Sequence, residues 1–402
     1  MHKSRADKII ITLVLVSVLV IGGIGNAEQR LQKSLSSIAP HFSYTLPPAT
    51  KPTSLLWPSI GQSAIGATGY GVLATKGAQT PIPTASVAKL ITALTVLKDK
   101  PLTGTAQGPT LVLGQSDVDI YKAYKSVGGS VAAVTVGEQI TEYQVLQAML
   151  LPSANNMADS LAIWAYGSLV AYATAGNSLL ASYGLVNTHV GSDASGFQPD
   201  STSTASDIVK LGEIALNNPT IADIVSQSNA TIPVAGNVKN VNWLLGTNGI
   251  NGMKTGNSDQ VGGNFLFSAK YTPAVGHDIT IVGAVMGTNS LSQAMDGAVP
   301  LLSSAQKAFS LSTVFTAGQV IGSYQVPWAS SVSAVVSKDV KALAWQGQII
   351  DKPDVVLKDL KAPADKGQTV GSINTSLTSE SSNIVLSQSV AKPSVWWRLT
   401  HY

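Results

Sequence analysis

The sequence predicts an α+β domain, in which helices flank an antiparallel sheet, followed by a small all-β C-terminal domain. Helical periodicity extends from Val87 to Leu216, and two alternating strand patterns, over 262–271 and 277–286, come after it. Beyond Val314 the pattern changes to short strands separated by polar turns. A chain of 402 residues is long enough to build the two hydrophobic cores that this arrangement requires.

Two groups of polar residues lie at the ends of predicted helices. Apolar residues recur at helical spacing after Ser86, which places that serine at the start of a buried helix. A capping box at its first turn predicts a helix over 143–150, and Pro152 ends it. Residues 153–155 therefore lie in a turn, before a second helix over about 156–166.

The remaining elements follow from the same periodicities. In the first domain we expect helices over 207–216 and 291–311 and strands over 64–73 and 254–257. In the second domain we expect short strands over 319–326, 332–336, 354–357, 368–373 and 384–386.

The N-terminus carries an export segment. Basic residues precede an uncharged run from Ile9 to Gly25, which is long for a signal peptide and short for a spanning helix. We expect a retained membrane anchor, with its basic flank inside and the rest of the chain outside the cytoplasmic membrane. Cleavage after Ala27, which closes a small-x-small site, would instead give a secreted protein.

Four segments follow from these observations. Residues 28–56 are polar and contain four prolines, which is typical of a linker. The predicted organisation is an anchor or signal peptide over 1–27, a linker over 28–56, the α+β domain over 57–312 and the β-rich domain over 313–402.

Composition excludes several classes of function. A net charge of +3, with no basic stripe, argues against nucleic acid as a partner. The chain has no cysteine, so it forms no disulfide and no thiolate metal site. Its five histidines stand apart and form neither a metal-ligand pattern nor a Ser-His-Asp set. We therefore expect no metal and no cofactor.

Three short motifs occur in a fixed order. Ser86–Lys89 is an SxxK tetrad, Ser153–Asn155 is an SxN triplet and Lys254–Gly256 reads Lys-Thr-Gly. SxxK and SxN each recur near the C-terminus, but Lys-Thr-Gly occurs once, and Ser86 and Ser153 precede it. Each motif alone is most often an ordinary cap, turn or strand end. The ordered set predicts a serine acyl-transfer site that uses lysine as its base.

The first two motifs supply the groups that move protons. Ser86 is a weak nucleophile until a neighbour accepts its proton, and Lys89 lies one helical turn away. Burial and the like charge of Lys254 are expected to lower the pKa of Lys89. Ser153 could protonate a leaving nitrogen, and Asn155 could hold a substrate amide by paired hydrogen bonds.

The third motif supplies groups for an anionic substrate. Lys254, Thr255 and Ser258 offer a cation and two hydroxyls suited to a terminal carboxylate. Gly256 lets the strand backbone come close to a ligand. The backbone amides of Ser86 and Asn257 are the expected donors to an oxyanion.

With these motifs the chain resembles the penicillin-binding D-alanyl-D-alanine carboxypeptidases over roughly 57–311, and its closing segment 394–399 is similar to theirs. The resemblance implies a β-lactamase/transpeptidase-like fold, with Ser86 acylated, Lys89 as base and the other two motifs as walls of the site. It implies as substrate a peptidoglycan stem peptide ending in D-Ala-D-Ala. It also implies that β-lactams acylate Ser86.

Two other functions stay open at this level. A class A β-lactamase needs a glutamate to activate water, and Glu213 lies in an ExxLN string of the expected kind. We discount it because Glu213 is predicted to lie on the solvated face of its helix. A catalytically idle peptidoglycan-binding scaffold would keep the same fold. Transpeptidation and endopeptidase action are variants of the same chemistry, which the sequence does not separate.

Overall fold

The computed structural model describes residues 5–49, 52–258, 262–274, 277–375 and 380–401. Lys3, part of the predicted basic flank, lies outside the described residues. The chain divides into two compact units. We call residues 51–310 with 345–347 the α+β unit, and residues 1–50, 311–344 and 348–402 the β unit.

The helices are α1 Arg5–Gln32, α2 Lys89–Asp99, α3 Gln115–Ser126, α4 Glu142–Leu150, α5 Asn155–Tyr166, α6 Leu169–Ser182, α7 Ala205–Leu216, α8 Pro219–Val225, α9 Leu291–Ala308 and α10 Val395–His401. Short 3-10 turns cover Ala85–Ala88 and Thr247–Gly249.

The strands are β1 Pro40–Phe42, β2 Gln62–Ala67, β3 Gly71–Lys76, β4 Ile82–Pro83, β5 Thr110–Val112, β6 Gln139–Thr141, β7 Thr202–Ser203, β8 Asn229–Ile232, β9 Gly236–Lys239, β10 Ile250–Ser258, β11 Gly262–Ala274, β12 His277–Thr288, β13 Phe309–Phe315, β14 Val320–Tyr324, β15 Val332–Val336, β16 Val340–Trp345, β17 Gln348–Ile349, β18 Asp354–Leu357, β19 Thr369–Asn374 and β20 Ser381–Leu386.

A five-stranded antiparallel sheet forms the centre of the α+β unit, in the order β10-β11-β12-β2-β3. Helix α9 contacts β11 and β12, and α7 contacts β2 and β12. The main core joins this sheet to α2, α4, α5 and α7 through closely packed Leu, Ile, Val, Ala and Met side chains. The predicted α+β class is therefore confirmed. The single strand expected over 64–73 is instead the hairpin β2–β3.

The turn between α4 and α5 forms as the sequence predicts. The Thr141 hydroxyl accepts a hydrogen bond from the Gln144 amide, and the Gln144 side chain accepts one from the Thr141 amide, so the capping box is confirmed. The helix ends at Leu150, and α5 begins at Asn155. Ser153, between the two helices, has a positive φ of 67°. That left-handed conformation is uncommon for a residue other than glycine.

The β unit is built on a six-stranded sheet with the order β1-β14-β15-β20-β19-β18. Its outermost strand, β1, lies within the segment predicted as a linker and pairs antiparallel with β14, Phe42 opposite Gly322. A three-residue edge strand that begins with proline has no alternating pattern, so periodicity did not reveal it. A side chain at 322 would meet the carbonyl of His41 at 2.4 Å, so glycine there allows the pairing.

Helix α1 is apolar enough and long enough to cross a membrane over Ile9–Gln32, and an 18-residue window within it has a mean hydropathy of 2.5. It continues without a break through Ala27, the predicted cleavage position. Its last turn contacts α10, where the Arg30 guanidinium donates to the carbonyl of Leu399 and Arg398 donates to the carbonyl of Lys33.

Candidate active site

Ser86 and Lys89 meet where a 3-10 turn becomes helix α2. Ser86 lies within the turn Ala85–Ala88, and Lys89 is the first residue of the helix. The Lys89 Nζ lies 2.7 Å from the Ser86 Oγ, a short hydrogen bond. The serine is half-exposed, whereas the lysine side chain is fully buried. Ser86, the candidate nucleophile, therefore lies between the solvent and the buried amine of Lys89.

Three oxygens surround the Lys89 amine. Besides Ser86, Nζ donates to the Asn155 Oδ1 at 2.7 Å and to the Ser195 carbonyl at 3.1 Å. Burial lowers the pKa of Lys89 to about 7, although the carboxylates of Asp193 and Asp159 act in the opposite direction. A lysine with this pKa is neutral in about half of the molecules at pH 7.

Lys254 lies beside Ser153. Its Nζ is 2.9 Å from the Ser153 Oγ and 3.0 Å from the carbonyl of Thr255, and its side chain is buried. Burial and then the charge of Lys89 hold the pKa of Lys254 well below its usual range. We expected the charge of Lys254 to act on Lys89. Burial is the main cause of the lowered pKa of Lys89, and the repulsion between the two amines contributes to the lowered pKa of Lys254.

Backbone contacts hold the second motif in place. The Asn155 amide donates to the Ser130 carbonyl at 2.8 Å, and the Ala154 amide donates to Ala148 at 3.3 Å. The Asn155 side-chain oxygen accepts a hydrogen bond from Lys89 and keeps a second lone pair. Paired hydrogen bonds from Asn155 to a substrate amide stay a prediction.

The third motif lies on β10, next to the turn that holds Ser86. A Cβ at Gly256 would lie 2.8 Å from the Thr84 carbonyl and 3.3 Å from the Ser86 nitrogen. Glycine is therefore required for this close approach, as its place in the motif predicts. Thr255 is buried, Asn257 is exposed, and the buried Ser258 Oγ has no hydrogen-bond partner within the described ranges.

A loop over 193–198 completes the site, and the motifs did not assign it a role. The Asp193 Oδ1 accepts from the Ser195 amide at 2.7 Å and the Phe197 amide at 3.1 Å. Oδ2 accepts from the Gln198 amide at 2.8 Å. This carboxylate folds the loop so that the Ser195 carbonyl reaches Lys89. The Asp-Ala-Ser-Gly string at 193–196 was the only signal of this loop in the sequence.

Glu213 does not lie on a solvated face, so that prediction was wrong. It is half-buried against the β2–β3 hairpin, where Gly71 donates a backbone hydrogen bond to it. A Cβ at Gly66 would lie 3.0 Å from its Oε1. Burial raises the pKa of Glu213 to about 7. Its described contacts belong to the hairpin and include none of the three motifs.

The site has the arrangement of a lysine-dependent serine acyl-transfer enzyme. Lys89 contacts Ser86, Lys254 contacts Ser153, and the strand that carries Gly256 lies beside the nucleophile. A family model described as D-alanyl-D-alanine carboxypeptidase matches residues 64–290. The chain belongs to this family of serine peptidases, which confirms the class that the motifs predict.

Curated relatives agree with this assignment. The chain is 28% identical over 290 residues to the D-alanyl-D-alanine carboxypeptidase DacA of Escherichia coli strain K12, covering 68% of this chain and 70% of that protein. It is also 28% identical over 265 residues to the D-alanyl-D-alanine carboxypeptidase of Streptomyces sp. strain K15, covering 61% and 86%.

Solved structures share the fold. Penicillin binding protein 5 from Haemophilus influenzae superposes with a TM-score of 0.58 at 22% identity, covering 87% of this chain and all of the other. The Streptomyces K15 DD-transpeptidase superposes with a TM-score of 0.54 at 26% identity, covering 63% and 98%. The β-lactamase/transpeptidase-like fold implied by the motifs is therefore confirmed.

Proposed function

We propose that this protein removes the terminal D-Ala of peptidoglycan stem peptides through an acyl-enzyme on Ser86. The observation that carries the proposal is the 2.7 Å contact between the Ser86 Oγ and the buried Nζ of Lys89, whose pKa is lowered to about 7. A lysine in this state can accept the serine proton at neutral pH.

Acylation uses both serine–lysine pairs. The Ser86 Oγ attacks the carbonyl carbon of the penultimate D-Ala, and its proton passes to the neutral Lys89 Nζ. The backbone amides of Ser86 and Asn257 bind the tetrahedral oxyanion. As the C–N bond breaks, the Ser153 Oγ gives its proton to the leaving amine and takes one from Lys254, 2.9 Å away.

Deacylation returns the enzyme to its starting state. Water attacks the ester carbonyl of acylated Ser86 and passes a proton, through the Ser153 hydroxyl, to Lys254, which acylation left neutral. As the ester bond breaks, Lys89 returns its proton to the Ser86 Oγ. The shortened peptide leaves as an acid that releases its proton to solvent and becomes a free carboxylate. β-Lactams would acylate Ser86 in the same way. Their leaving nitrogen stays tethered to the acyl group, so it remains in the site where water must enter.

The third motif is proposed to bind the terminal carboxylate of the substrate. The hydroxyls of Thr255 and Ser258 and the amine of Lys254 can donate hydrogen bonds to its two oxygens. The buried Ser258 Oγ has no hydrogen-bond partner among the described residues. Removing the last D-Ala removes this carboxylate, so the product binds less tightly than the substrate.

Intact-protein mass spectrometry of the full chain in detergent micelles tests the proposal. Brief exposure to benzylpenicillin should give a long-lived adduct of one drug molecule that maps to Ser86 and is absent from Ser86→Ala. Ser389→Ala is the matched control, because Ser389 to Lys392 repeats the letters of the first motif. That variant should be acylated normally.

A second assay measures D-Ala released from a diacylated Lys-D-Ala-D-Ala peptide, which the wild type should hydrolyse and Ser86→Ala should not. Rapid drug hydrolysis without a lasting adduct would favour the β-lactamase function. The position of Glu213 against the hairpin argues against it. No adduct and no turnover would overturn the proposal and leave a binding scaffold.

We also propose that α1 is retained as a membrane anchor, which places the enzyme outside the cytoplasmic membrane. Its candidate span over Ile9–Gln32 has 24 residues, enough for the roughly 20 that cross a bilayer. The helix passes through Ala27, and its last turn binds α10. The mass of the protein purified from membranes tests this, because cleavage after Ala27 would leave a soluble chain beginning at Glu28.

A further inference from the structure

Behind the site, the buried Asp159 and the half-buried Tyr124 form a pair that has no role in the mechanism above. Asp159 lies one helical turn after Asn155 on α5, and only 5% of it is exposed. Its Oδ2 accepts a hydrogen bond from the Tyr124 hydroxyl at 2.7 Å, and its Oδ1 accepts one from the Ala194 amide at 2.9 Å. The carboxyl group therefore joins helix α3 to the loop over 193–198.

These contacts lead directly to Lys89. The Ala194 amide held by Asp159 precedes Ser195, whose carbonyl accepts from the Lys89 Nζ at 3.1 Å. The Ser195 Oγ donates to Asp193 at 2.7 Å and lies 3.4 Å from the Tyr124 hydroxyl. Moving Asp159 would move the loop oxygen that orients the proposed base.

The pair also sets the charge around Lys89. Asp159 is close enough that its carboxylate favours the charged form of Lys89, opposing the effect of burial. Burial in turn raises the pKa of Asp159 to about 6, and the hydrogen bond from Tyr124 acts against that rise. The titratable groups that face this cluster from the elements packed around it are Lys89, Asp193, Tyr124, Tyr172 and Lys254.

We propose that Asp159, held by the Tyr124 hydroxyl, is a positioning residue for Lys89: it fixes the Ser195 carbonyl against the amine, and its negative charge keeps that amine basic enough to take the Ser86 proton. Asp193 also favours the charged form of Lys89, but its oxygens accept three loop amides, so substituting it would unfold the loop as well as remove a charge. The inference rests on the proposed function of Ser86 and Lys89.

Asp159→Asn separates charge from shape, since its amide oxygen can still accept from Ala194. The rate of Ser86 acylation by benzylpenicillin, measured from pH 5 to 9 on the full chain in micelles, is the readout. Without the carboxylate Lys89 loses its proton at lower pH, so the acid limb of the profile should move down by about one pH unit. The plateau should fall about threefold to tenfold, because a less basic amine accepts the proton less readily.

Tyr124→Phe is the second variant and keeps the ring, whose centroid lies 5.4 Å from that of Phe197. Loss of the hydroxyl makes Asp159 easier to protonate, so the acid limb should move in the same direction by less. Asp119→Asn makes the same charge change on the exposed side of α3 and should leave the profile unchanged.

The outcomes separate the two proposals. A lower plateau with an unmoved acid limb in both variants would mean a purely structural role and would overturn the inference while leaving the mechanism intact. A limb that moves to higher pH would also overturn it. If the wild type itself is not acylated at Ser86 at any pH, the proposed function fails and the inference fails with it.

Discussion

The amine of Lys254 donates a hydrogen bond to the hydroxyl of Ser153 across 2.9 Å, although 101 residues separate them in the chain. Ser86 has its own buried lysine at 2.7 Å. Each serine of the site is thus paired with a different lysine. The arrangement allows one pair to remove a proton from the nucleophile while the other delivers a proton to the leaving group.

Ser153→Ala tests the second pair. The variant keeps the Ser86–Lys89 contact but has no hydroxyl to protonate the leaving nitrogen, so acylation should slow by about 100-fold or more. Stopped-flow acylation with benzylpenicillin measures it. Ser160→Ala is the control, because Ser160 is also buried and its Oγ has no partner within the described part of the chain. That variant should react at the wild-type rate; equal rates for both variants would exclude a role for Ser153.

Much of the site could be predicted from sequence because its motifs are local. Ser86 and Lys89 are three residues apart, and the Thr141 capping box with Pro152 defines the turn that carries Ser153. The glycine at 256 follows from the need for close backbone approach. These features arise between residues that are close in the chain, so a short sequence pattern can reveal them.

The parts that could not be predicted depend on distant packing. The Ser195 carbonyl reaches Lys89 across 106 residues, and a backbone oxygen has no sequence signature. Asp159 has the spacing of an ordinary helical residue, and its contacts arise from the packing of α3 against α5. Glu213 was misplaced because the helical pattern alone does not reveal the hairpin that covers it.

Gly256→Ala tests the fit between β10 and the nucleophile turn. The added Cβ would lie 2.8 Å from the Thr84 carbonyl, so the strand or the turn must shift by several tenths of an ångström. Acylation should fall at least about tenfold, because misplaced catalytic groups lose much of their effect. Gly114→Ala is the control, since its Cβ would meet only side-chain atoms at 3.8 Å and beyond. A wild-type rate in Gly256→Ala would show that the close approach is not needed.

The wild-type enzyme should become active as Lys89 loses its proton. Because burial lowers the pKa of Lys89 to about 7, the base is charged below that pH and neutral above it. The acylation rate should therefore rise about tenfold per pH unit below 7 and level off above it. Circular dichroism over the same range should stay constant, which separates this titration from unfolding. A flat rate from pH 5 to 9 would contradict a lysine base.

A buried carboxyl outside the site, Glu142 at the start of α4, should make the stability of the protein depend on pH. Its side chain is buried, and neither oxygen has a hydrogen-bond partner in the described portion of the chain. Gly108 packs close to it, since a Cβ at that glycine would lie 3.1 Å from the Glu142 Oε2, and the charge of Lys100 acts against the rise in its pKa. Burial raises the pKa of Glu142 from 4.5 to about 7.

The sign of the effect follows from this raised pKa. The folded state holds the proton more tightly than the unfolded state, so Glu142 stabilises the fold below about pH 4.5, and this contribution is lost as the pH rises to about 7. Glu142→Gln has no charge to bury. At pH 8 its free energy of unfolding should exceed that of the wild type by about 1–2 kcal/mol, whereas at pH 4.5 the two should agree.

Urea unfolding at the two pH values measures the difference. Asp296→Asn, on the exposed face of α9, is the control and should show no difference from the wild type. A Glu142→Gln variant that is less stable at pH 8 would mean that the carboxylate is ionised and stabilising in the fold.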